Sequence, residues 1–188
     1  MKYITTFVIT TVALASTAWA DSAKFDAAMA PVLTEYLEVH KALAADSEKG
    51  VPETAKKLEA FAKKLDAGTV AGEHAAHYKD LPGAITTAAR ALAAAKGLDA
   101  QREAFKGLSK PMAMWATMSK PAGVYVVFCS MAKASWLQTD KAIANPYMGS
   151  KMLTCGEITG GLAEAKPTDT GDMRSQPMDM GHMKGKMH

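Results

Sequence analysis

The most chemically distinctive residues of this chain lie in its C-terminal third. The segment "CSMAKASWLQTDKAIANPYMGSKMLTCGEI" contains both cysteines of the protein, Cys129 and Cys155, together with Met131, Met148 and Met152. Thiolate and thioether sulfurs are soft donors that suit Cu(I), so two thiolates and one or two methionines would form a sulfur-rich copper site. Two cysteines also suffice for a disulfide, which is their commoner use in exported proteins and would contribute ~3.5 kcal/mol to stability. Residue types alone favour the disulfide and leave the metal site open.

A second group of donors lies at the C-terminus, in "MRSQPMDMGHMKGKMH". Methionine usually fills gaps in a hydrophobic core, as we expect for Met29, Met112, Met114 and Met118. The tail has almost no large aliphatic residues to build a core, yet it holds five of the thirteen methionines. Exposed thioethers favour Cu(I) and Ag(I), and imidazole extends this preference towards Cu(II). The tail is therefore predicted to bind these metals through Met178, Met180, His182, Met183, Met187 and His188.

The remaining histidines indicate no catalytic site. His74 and His77 in "GEHAAHYKD" follow Glu73, but their order is not that of the H-E-x-x-H metalloprotease motif. We expect two exposed or capping histidines there, with a weak Zn(II) or Cu(II) site as the alternative. His40 lies on an apolar helix face, where a hydrogen-bonded interior histidine is expected. No arrangement typical of nucleophilic catalysis, phosphate binding or paired acids occurs, so we do not expect an enzyme.

Residues 1–20, "MKYITTFVITTVALASTAWA", have the pattern of a secretory signal peptide. A basic residue, Lys2, precedes a short apolar region and an Ala-Trp-Ala end. The apolar run is too short and too rich in Thr for a membrane span, and no later stretch reaches spanning length. We therefore expect cleavage after Ala20, export to the periplasm, and a mature chain without a membrane span.

The composition limits what the mature chain can be. Cleavage after Ala20 would leave 168 of the 188 residues, which suggests one domain, and 48% hydrophobic residues in the chain is enough for one buried core. The formal net charge is +3, with acidic and basic residues interleaved along the chain. Because no basic block or basic-aromatic stripe is present, we expect no nucleic-acid partner.

Four segments before residue 120 predict amphipathic helices that position these donors. Pro31 is placed in the opening turn of the first, and the second runs from residues 50–53 to Gly68. The third begins after Pro82, and Asp99 is the candidate N-cap of the fourth. Short connections predict an antiparallel four-helix bundle, an all-α fold. The expected inward residues are Val32, Leu33, Tyr36, Leu37, His40 and Leu43; Ala55, Leu58, Phe61, Ala62 and Leu65; Ile85, Ala88, Ala89 and Leu92; and Phe105, Leu108, Met112 and Trp115.

The pattern changes after the fourth helix. Residues 124–128 form a short β-type run, and the turn-forming residues that follow predict a small irregular lobe over 121–159, packed on the bundle. Residues 160–188 lack the apolar surface needed to offset ordering entropy, so this Met- and His-rich tail is expected to be disordered. The predicted organisation is thus a signal peptide over 1–20, a helical-bundle domain with its lobe over 21–159, and the tail.

The lobe sequence resembles the closing signature of an exported family known as domain of unknown function 3347. Upstream, residues 101–105 and 108–109 also resemble the last bundle helix of that family, so the resemblance extends over nearly the whole mature domain except the tail. The matching lobe residues are Tyr125, Cys129, Met131, Ala132, Trp136, Leu137, Asn145, Pro146, Tyr147, Gly149, Met152, Leu153, Cys155 and Gly156.

The resemblance implies a helical-bundle domain that occurs alone or fused to periplasmic adaptors of heavy-metal efflux pumps, where copper or silver handling is expected. Applied to this chain, it implies Cys129, Met131, Met152 and Cys155 as metal ligands. The first hypothesis is therefore a periplasmic protein that buffers or delivers Cu(I) or Ag(I), with an efflux adaptor or a metallochaperone as its partner. The second is a domain without metal chemistry, locked by a Cys129–Cys155 disulfide and docked on an efflux or envelope partner.

Overall fold

The structure is a computed structural model that describes the backbone of residues 15–161 and the side chains of residues 22–161. In this part of the chain, four α-helices precede a small antiparallel sheet, so the fold is mostly helical, as predicted, but it is not all-α. The helices are α1 (Ala15–Ala44), α2 (Val51–Ala62), α3 (Ala75–Ala94) and α4 (Leu98–Ser119). They are followed by β1 (Tyr125–Cys129), β2 (Ala134–Gln138), a 3-10 turn (Gly149–Lys151) and β3 (Glu157–Gly161).

The helices pack in chain order, each against the next, and α1 also contacts α4. The inward faces follow the predicted spacing, although Leu33, Leu37, Phe61 and Ala88 are only half-buried. The large fully buried side chains include Tyr36, Met29, Leu58, Ile85, Phe105 and Leu108. One hydrophobic cluster extends from these helices into β1 and β2, so the sheet shares the core of the helical layer.

Three prolines lie inside helices. Pro31 is in the middle of α1 and Pro82 in the middle of α3, so the predicted starts at these residues are wrong. Pro111 is inside α4. An interior proline costs about 3 kcal/mol because it removes a backbone hydrogen bond. The turns before the prolines bury Phe25 and Met29 in α1 and Tyr78 and Leu81 in α3, and each such side chain contributes about 1.5–3 kcal/mol. Burial of these side chains therefore outweighs the preference of proline for the first turn of a helix.

Two helix ends also differ from the prediction. Residue Gly97 occupies the N-cap position of α4 and Asp99 lies in the first turn, where its charge still favours the helix N-terminus. Helix α2 ends at Ala62, before Gly68, because the chain turns there while keeping Leu65 buried. The Asp66 carboxylate then accepts a hydrogen bond of 2.8 Å from the Gly68 peptide N–H, which fixes the turn.

The C-terminal lobe is a sheet with strand order β2–β1–β3, in which both pairs are antiparallel. The predicted β-type run forms β1, but the prediction of an irregular lobe is wrong because β2 and β3 pair with it. These two strands, ASWLQ and EITGG, have little intrinsic strand preference. Their pairing with the apolar β1 stabilises them, which is a non-local effect.

Strand β2 attaches the sheet to the helices. It packs mainly on α4. The Tyr36 hydroxyl of α1 forms hydrogen bonds with both α4 and β2. This hydroxyl lies 2.7 Å from the Ser109 hydroxyl oxygen and accepts a 3.1 Å hydrogen bond from the Leu137 peptide N–H. Burial raises the pKa of Tyr36 well above its usual value, so the bridge is a neutral phenol.

No helix in the 15–161 range combines the length and apolar character that a membrane crossing requires. Most of the proposed signal peptide and all six predicted donors of the tail lie outside the described residues. Cleavage after Ala20 and metal binding by Met178, Met180, His182, Met183, Met187 and His188 therefore stay predictions.

Candidate functional site

The two cysteines meet at one end of the sheet. Cys129 is the last residue of β1 and is fully buried, whereas Cys155 is half-buried in the turn that precedes β3. Their Sγ atoms lie 2.8 Å apart, with both residues present as thiols. The sulfurs that both sequence hypotheses require to be close are thus in direct contact.

Strand pairing explains this contact. Phe128 of β1 lies opposite Glu157 of β3, so the residues just before β3 are held beside the end of β1. The peptide N–H of Cys155 donates a 3.0 Å hydrogen bond to the Met152 carbonyl, which closes the turn. The next residue is Gly156, where a β-carbon would lie 2.7 Å from the Trp136 ring. The absence of a side chain there lets the turn come close enough to place Cys155.

The β1–β2 turn supplies hydrogen-bond donors to the thiols. The Ala132 peptide N–H lies 3.4 Å from the Cys129 Sγ. Burial opposes ionisation of Cys129, but hydrogen bonds from the Cys155 thiol and from the peptide groups of Ala132 and Met131 outweigh it and lower its pKa. The pKa of Cys155 is raised, first by its hydrogen bond to Cys129 and then by burial. Cys129 is therefore the thiol that ionises first.

Met131 and Met152 belong to the two turns that hold the thiols. The side chain of Met131 is 64% exposed and that of Met152 is 37% exposed, although both are large apolar groups. The peptide group of Met131 contacts both sulfurs, and Met152 shares its turn with Cys155. The four ligand residues implied by the family resemblance thus come from two adjacent turns. Met148, weighed as a further thioether, is half-buried against the core.

The donor chemistry of this site is restricted to sulfur. In the 22–161 range, no group of three or more His, Cys, Asp or Glu side chains could hold a metal ion. Two thiols with exposed thioethers nearby fit a soft monovalent ion and do not fit a hard cation, which prefers oxygen ligands. The residues present are thus compatible with the copper or silver that the resemblance implies.

Asn145 holds the loop that carries Cys155. Its side-chain amide donates a 2.7 Å hydrogen bond to the Cys155 carbonyl, and its Oδ1 accepts hydrogen bonds from the Tyr147 and Met148 peptide groups. The side chain is fully buried. It was predicted only as a turn-forming residue, since nothing in the sequence shows which carbonyl its amide meets.

An ionic clamp built on the buried Arg102 side chain fastens the same loop to the helices. The Arg102 guanidinium of α4 donates to the Leu43 and Pro146 carbonyls at 3.0 Å each and pairs with Asp46 at the end of α1. The Ser150 peptide N–H donates a hydrogen bond of 3.0 Å to the other oxygen of the Asp46 carboxylate. Sequence reasoning missed this clamp. Arg102 stands in the segment that resembles the family, but its burial depends on three separate parts of the chain.

The histidines conform to the expectations from the sequence. His40 is buried, and its Nε2 lies 2.8 Å from the Ala144 carbonyl oxygen. Burial lowers the pKa of His40, so its imidazole is neutral near pH 7. His74 and His77 are exposed, with ring centroids 6.4 Å apart, and His74 forms no side-chain cap at the start of α3. Of the four methionines expected in the core, Met29 and Met112 are fully buried, whereas Met114 and Met118 are half-buried against it.

The fold and site together define a mostly helical domain with a small sheet that presents a pair of thiols. The chain belongs to the family described as protein of unknown function (DUF3347), whose model matches residues 32–122. The match runs from α1 to the residues before β1, so it includes Arg102 and leaves out the Cys/Met lobe. No curated protein and no solved structure matches the chain.

Proposed function

We propose that this chain is a periplasmic protein that binds Cu(I) or Ag(I) and buffers or delivers the ion in metal resistance or homeostasis. The observation that carries the proposal is the contact between the Cys129 and Cys155 sulfurs, which come from residues 26 positions apart in the chain. A pair of thiolates is the strongest soft-metal donor set that the lobe can form. No catalytic role is proposed.

The spacing of the sulfurs suits a site that opens to admit an ion. Two thiolates on one tetrahedral metal lie about 3.8 Å apart, given a metal–sulfur bond of ~2.3 Å, and the observed distance is 2.8 Å. The sulfurs must therefore separate by about 1 Å. Cys155 is the residue that moves in this proposal, because it lies in a turn whereas Cys129 is a strand residue paired with Ala134 of β2.

The methionines complete the proposed site. A thioether cannot be protonated, so it remains a donor at any pH, and it selects monovalent copper or silver over Zn(II). Met131 and Met152 are exposed in the two turns that carry the thiols, so their side chains can turn towards a bound ion without disturbing the core. The tail donors Met178, Met180, His182, Met183, Met187 and His188 form a second, separate site in this proposal.

The wider setting is part of the same proposal. The four helices form an antiparallel bundle. The signal peptide directs the chain to the periplasm, where an efflux-pump adaptor or a metallochaperone exchanges the ion with it. What supports this periplasmic setting is the resemblance of the sequence to a family whose members also occur fused to efflux-pump adaptors.

A second candidate function is a crosslinked docking domain without metal chemistry. The observation in its favour is that the exposed large hydrophobic residues of the described part all lie in the lobe, namely Met131, Met152, Leu153 and Ile158. Clustered apolar exposure marks interaction surfaces. A Cys129–Cys155 disulfide would then hold this surface in shape against a partner in the envelope.

Titration of the reduced, intact chain with Ag(I) under anaerobic conditions tests the metal proposal. We expect a lobe site that is lost in the Cys129→Ser/Cys155→Ser variant and at least tenfold weaker in Met131→Leu/Met152→Leu. Met114→Leu, a half-buried α4 methionine, is the matched control and should bind as the natural chain does.

Truncation after Gly161 tests the tail separately, and an unchanged silver stoichiometry would exclude a tail site. If the serine variant binds silver with unchanged stoichiometry and affinity, the lobe is not a metal site. Thiols that stay unreactive in metal-free protein until it is reduced would favour the docking domain.

A further inference from the structure

The thiol pair has a geometry that permits a second kind of chemistry. The chain contains two cysteines in total, and their sulfurs are already in contact. A disulfide bond is about 2.05 Å long, so closing the pair requires a movement of less than about 1 Å. Oxidation of this pair would therefore join two atoms of one chain without rearranging the fold around them.

The surroundings give the two thiols different roles in oxidation. Cys129 is fully buried and receives the Ala132 peptide N–H, so its thiolate is held in place and shielded from solvent oxidants. Cys155 is half-buried in a turn, which makes it the thiol that an ion in solution reaches first. Loss of one electron from Cys155 leaves a thiyl sulfur in contact with the second thiol, and loss of a second electron to another cupric ion, with release of both protons, completes the S–S bond.

We infer that the Cys129–Cys155 pair reduces Cu(II) to Cu(I) and closes into an intramolecular disulfide. The reaction consumes two thiols and two cupric ions and yields one disulfide, two cuprous ions and two protons. Each S–H bond breaks, each sulfur gives up one electron, and one S–S bond forms. A second cycle requires an exported protein dithiol that reduces the disulfide by thiol–disulfide exchange.

This inference goes beyond storage of a monovalent ion and does not require the thiolates to be ligands afterwards. Once the disulfide has formed, thioethers are the soft donors that remain in the lobe, and Met131 and Met152, in the turns that carry the cysteines, are exposed. Thioethers stabilise the cuprous product. The proposal thus assigns electron donation to the cysteines and retention of the product to the methionines.

The experiment mixes the reduced, intact chain with excess Cu(II) under anaerobic conditions and follows the electron paramagnetic resonance of Cu(II). We expect two cupric ions to be reduced per chain, both thiols to disappear, and the mass to fall by two hydrogen atoms. The rate per chain should not depend on protein concentration, because the reaction is intramolecular. Met114→Leu, at a half-buried α4 methionine outside the lobe, should keep the same electron count.

The matched variants are Cys129→Ser and Cys155→Ser, each with one thiol. We expect each to react at least tenfold more slowly and to form covalent dimers at a rate that rises with protein concentration. Natural chain that has been oxidised beforehand keeps its fold but has no thiols, and it should leave the Cu(II) signal unchanged. Failure of this control would show that other residues donate the electrons and would overturn the inference.

Two further outcomes separate this inference from the proposed function. A chain that binds Ag(I) through its thiols but leaves the Cu(II) signal in place overturns the inference alone. A chain that reduces two cupric ions but binds neither Ag(I) nor Cu(I) overturns the proposed storage role and the retention assigned to the methionines, and it supports electron donation by the cysteines. Covalent dimers of the natural chain in place of the intramolecular disulfide would also overturn the inference.

Discussion

Gly149 lies where the lobe meets the ion pair of Asp46 and Arg102. Its φ of +53° lies in the left-handed region, and a β-carbon there would overlap the Asp46 carboxylate and the Arg102 guanidinium. The ion pair, the Ser150 hydrogen bond and the Pro146 carbonyl all converge at this position. A residue without a side chain is therefore part of the clamp that holds the Cys155 loop.

Gly149→Ala is expected to lower the free energy of unfolding by about 2 kcal/mol or more. The left-handed backbone strain of an alanine, ~1–2 kcal/mol, adds to the steric cost of the overlapping β-carbon. Gly107→Ala is the matched control, since Gly107 is exposed inside α4 with open space around it. That change should raise the unfolding free energy by ~0.5–1 kcal/mol. Urea titration of both variants measures the difference, and equal effects would contradict the role assigned to Gly149.

Asp46 gives the clamp a pH dependence. Its hydrogen bonds from Ser150, followed by those from Arg102, hold the pKa of the carboxyl well below its usual range. A folded-state pKa below the unfolded value of ~3.9 stabilises the fold above that pH and loses its effect as the pH falls further. Asp46→Asn should therefore be less stable than the natural chain at pH 7, with a difference that shrinks below about pH 4. A difference that stays constant from pH 7 to pH 2.5 in urea titrations would contradict this assignment.

At the scale of elements, the prolines show where sequence reasoning succeeds and where it fails. The spacing of apolar residues identified all four helices and most of their inward faces. The starts of α1 and α3 were wrong because local rules place a proline at a helix start, whereas buried residues before Pro31 and Pro82 extend each helix. Strands β2 and β3 were missed because their stability comes from pairing with β1, which no local pattern reveals.

Pro82→Ala is expected to stabilise the protein by about 1–2 kcal/mol. The change restores a peptide N–H that can bond the Tyr78 carbonyl, and this gain exceeds the entropy that proline removes from the unfolded chain. Pro52→Ala is the control, because Pro52 lies in the first turn of α2, where a new N–H gains no helical partner. It should be neutral or destabilising by up to ~1 kcal/mol. Thermal unfolding of both variants tests the contrast, and similar shifts would refute it.

At the scale of the whole molecule, the candidate site depends on contacts that a sequence does not display. The residue types of Cys129 and Cys155 identified the chemistry, but the register of β1 with β3 decides that their sulfurs touch. Arg102 lies in α4 and Asp46 in the turn after α1, and only the assembled fold makes them partners. The donor chemistry of the site was therefore predictable from residue types, whereas the contacts that bring its residues together were not.

Oxidation of the thiol pair should stabilise the whole domain. A disulfide between Cys129 and Cys155 closes a loop of about 26 residues, which is worth ~3.5 kcal/mol in the chain-entropy model. Urea unfolding of the oxidised and the reduced chain should differ by this amount, whereas the Cys129→Ser/Cys155→Ser variant should show no redox dependence. Identical curves for the two forms of the natural chain would show that the closed pair does not constrain the unfolded state.

The closeness of Trp136 to Gly156 has a practical consequence. The indole ring lies against the residue that follows Cys155, while Trp115 is held far along α4 by the Asp26 carboxylate at 2.8 Å. Trp115→Phe would leave Trp136 as the single indole of a chain cleaved after Ala20. Its fluorescence should then be quenched when silver or a disulfide occupies the neighbouring sulfurs, and an emission unchanged by both would show that the ring does not sense them. The protein thus carries a built-in optical sensor for the state of its own thiols.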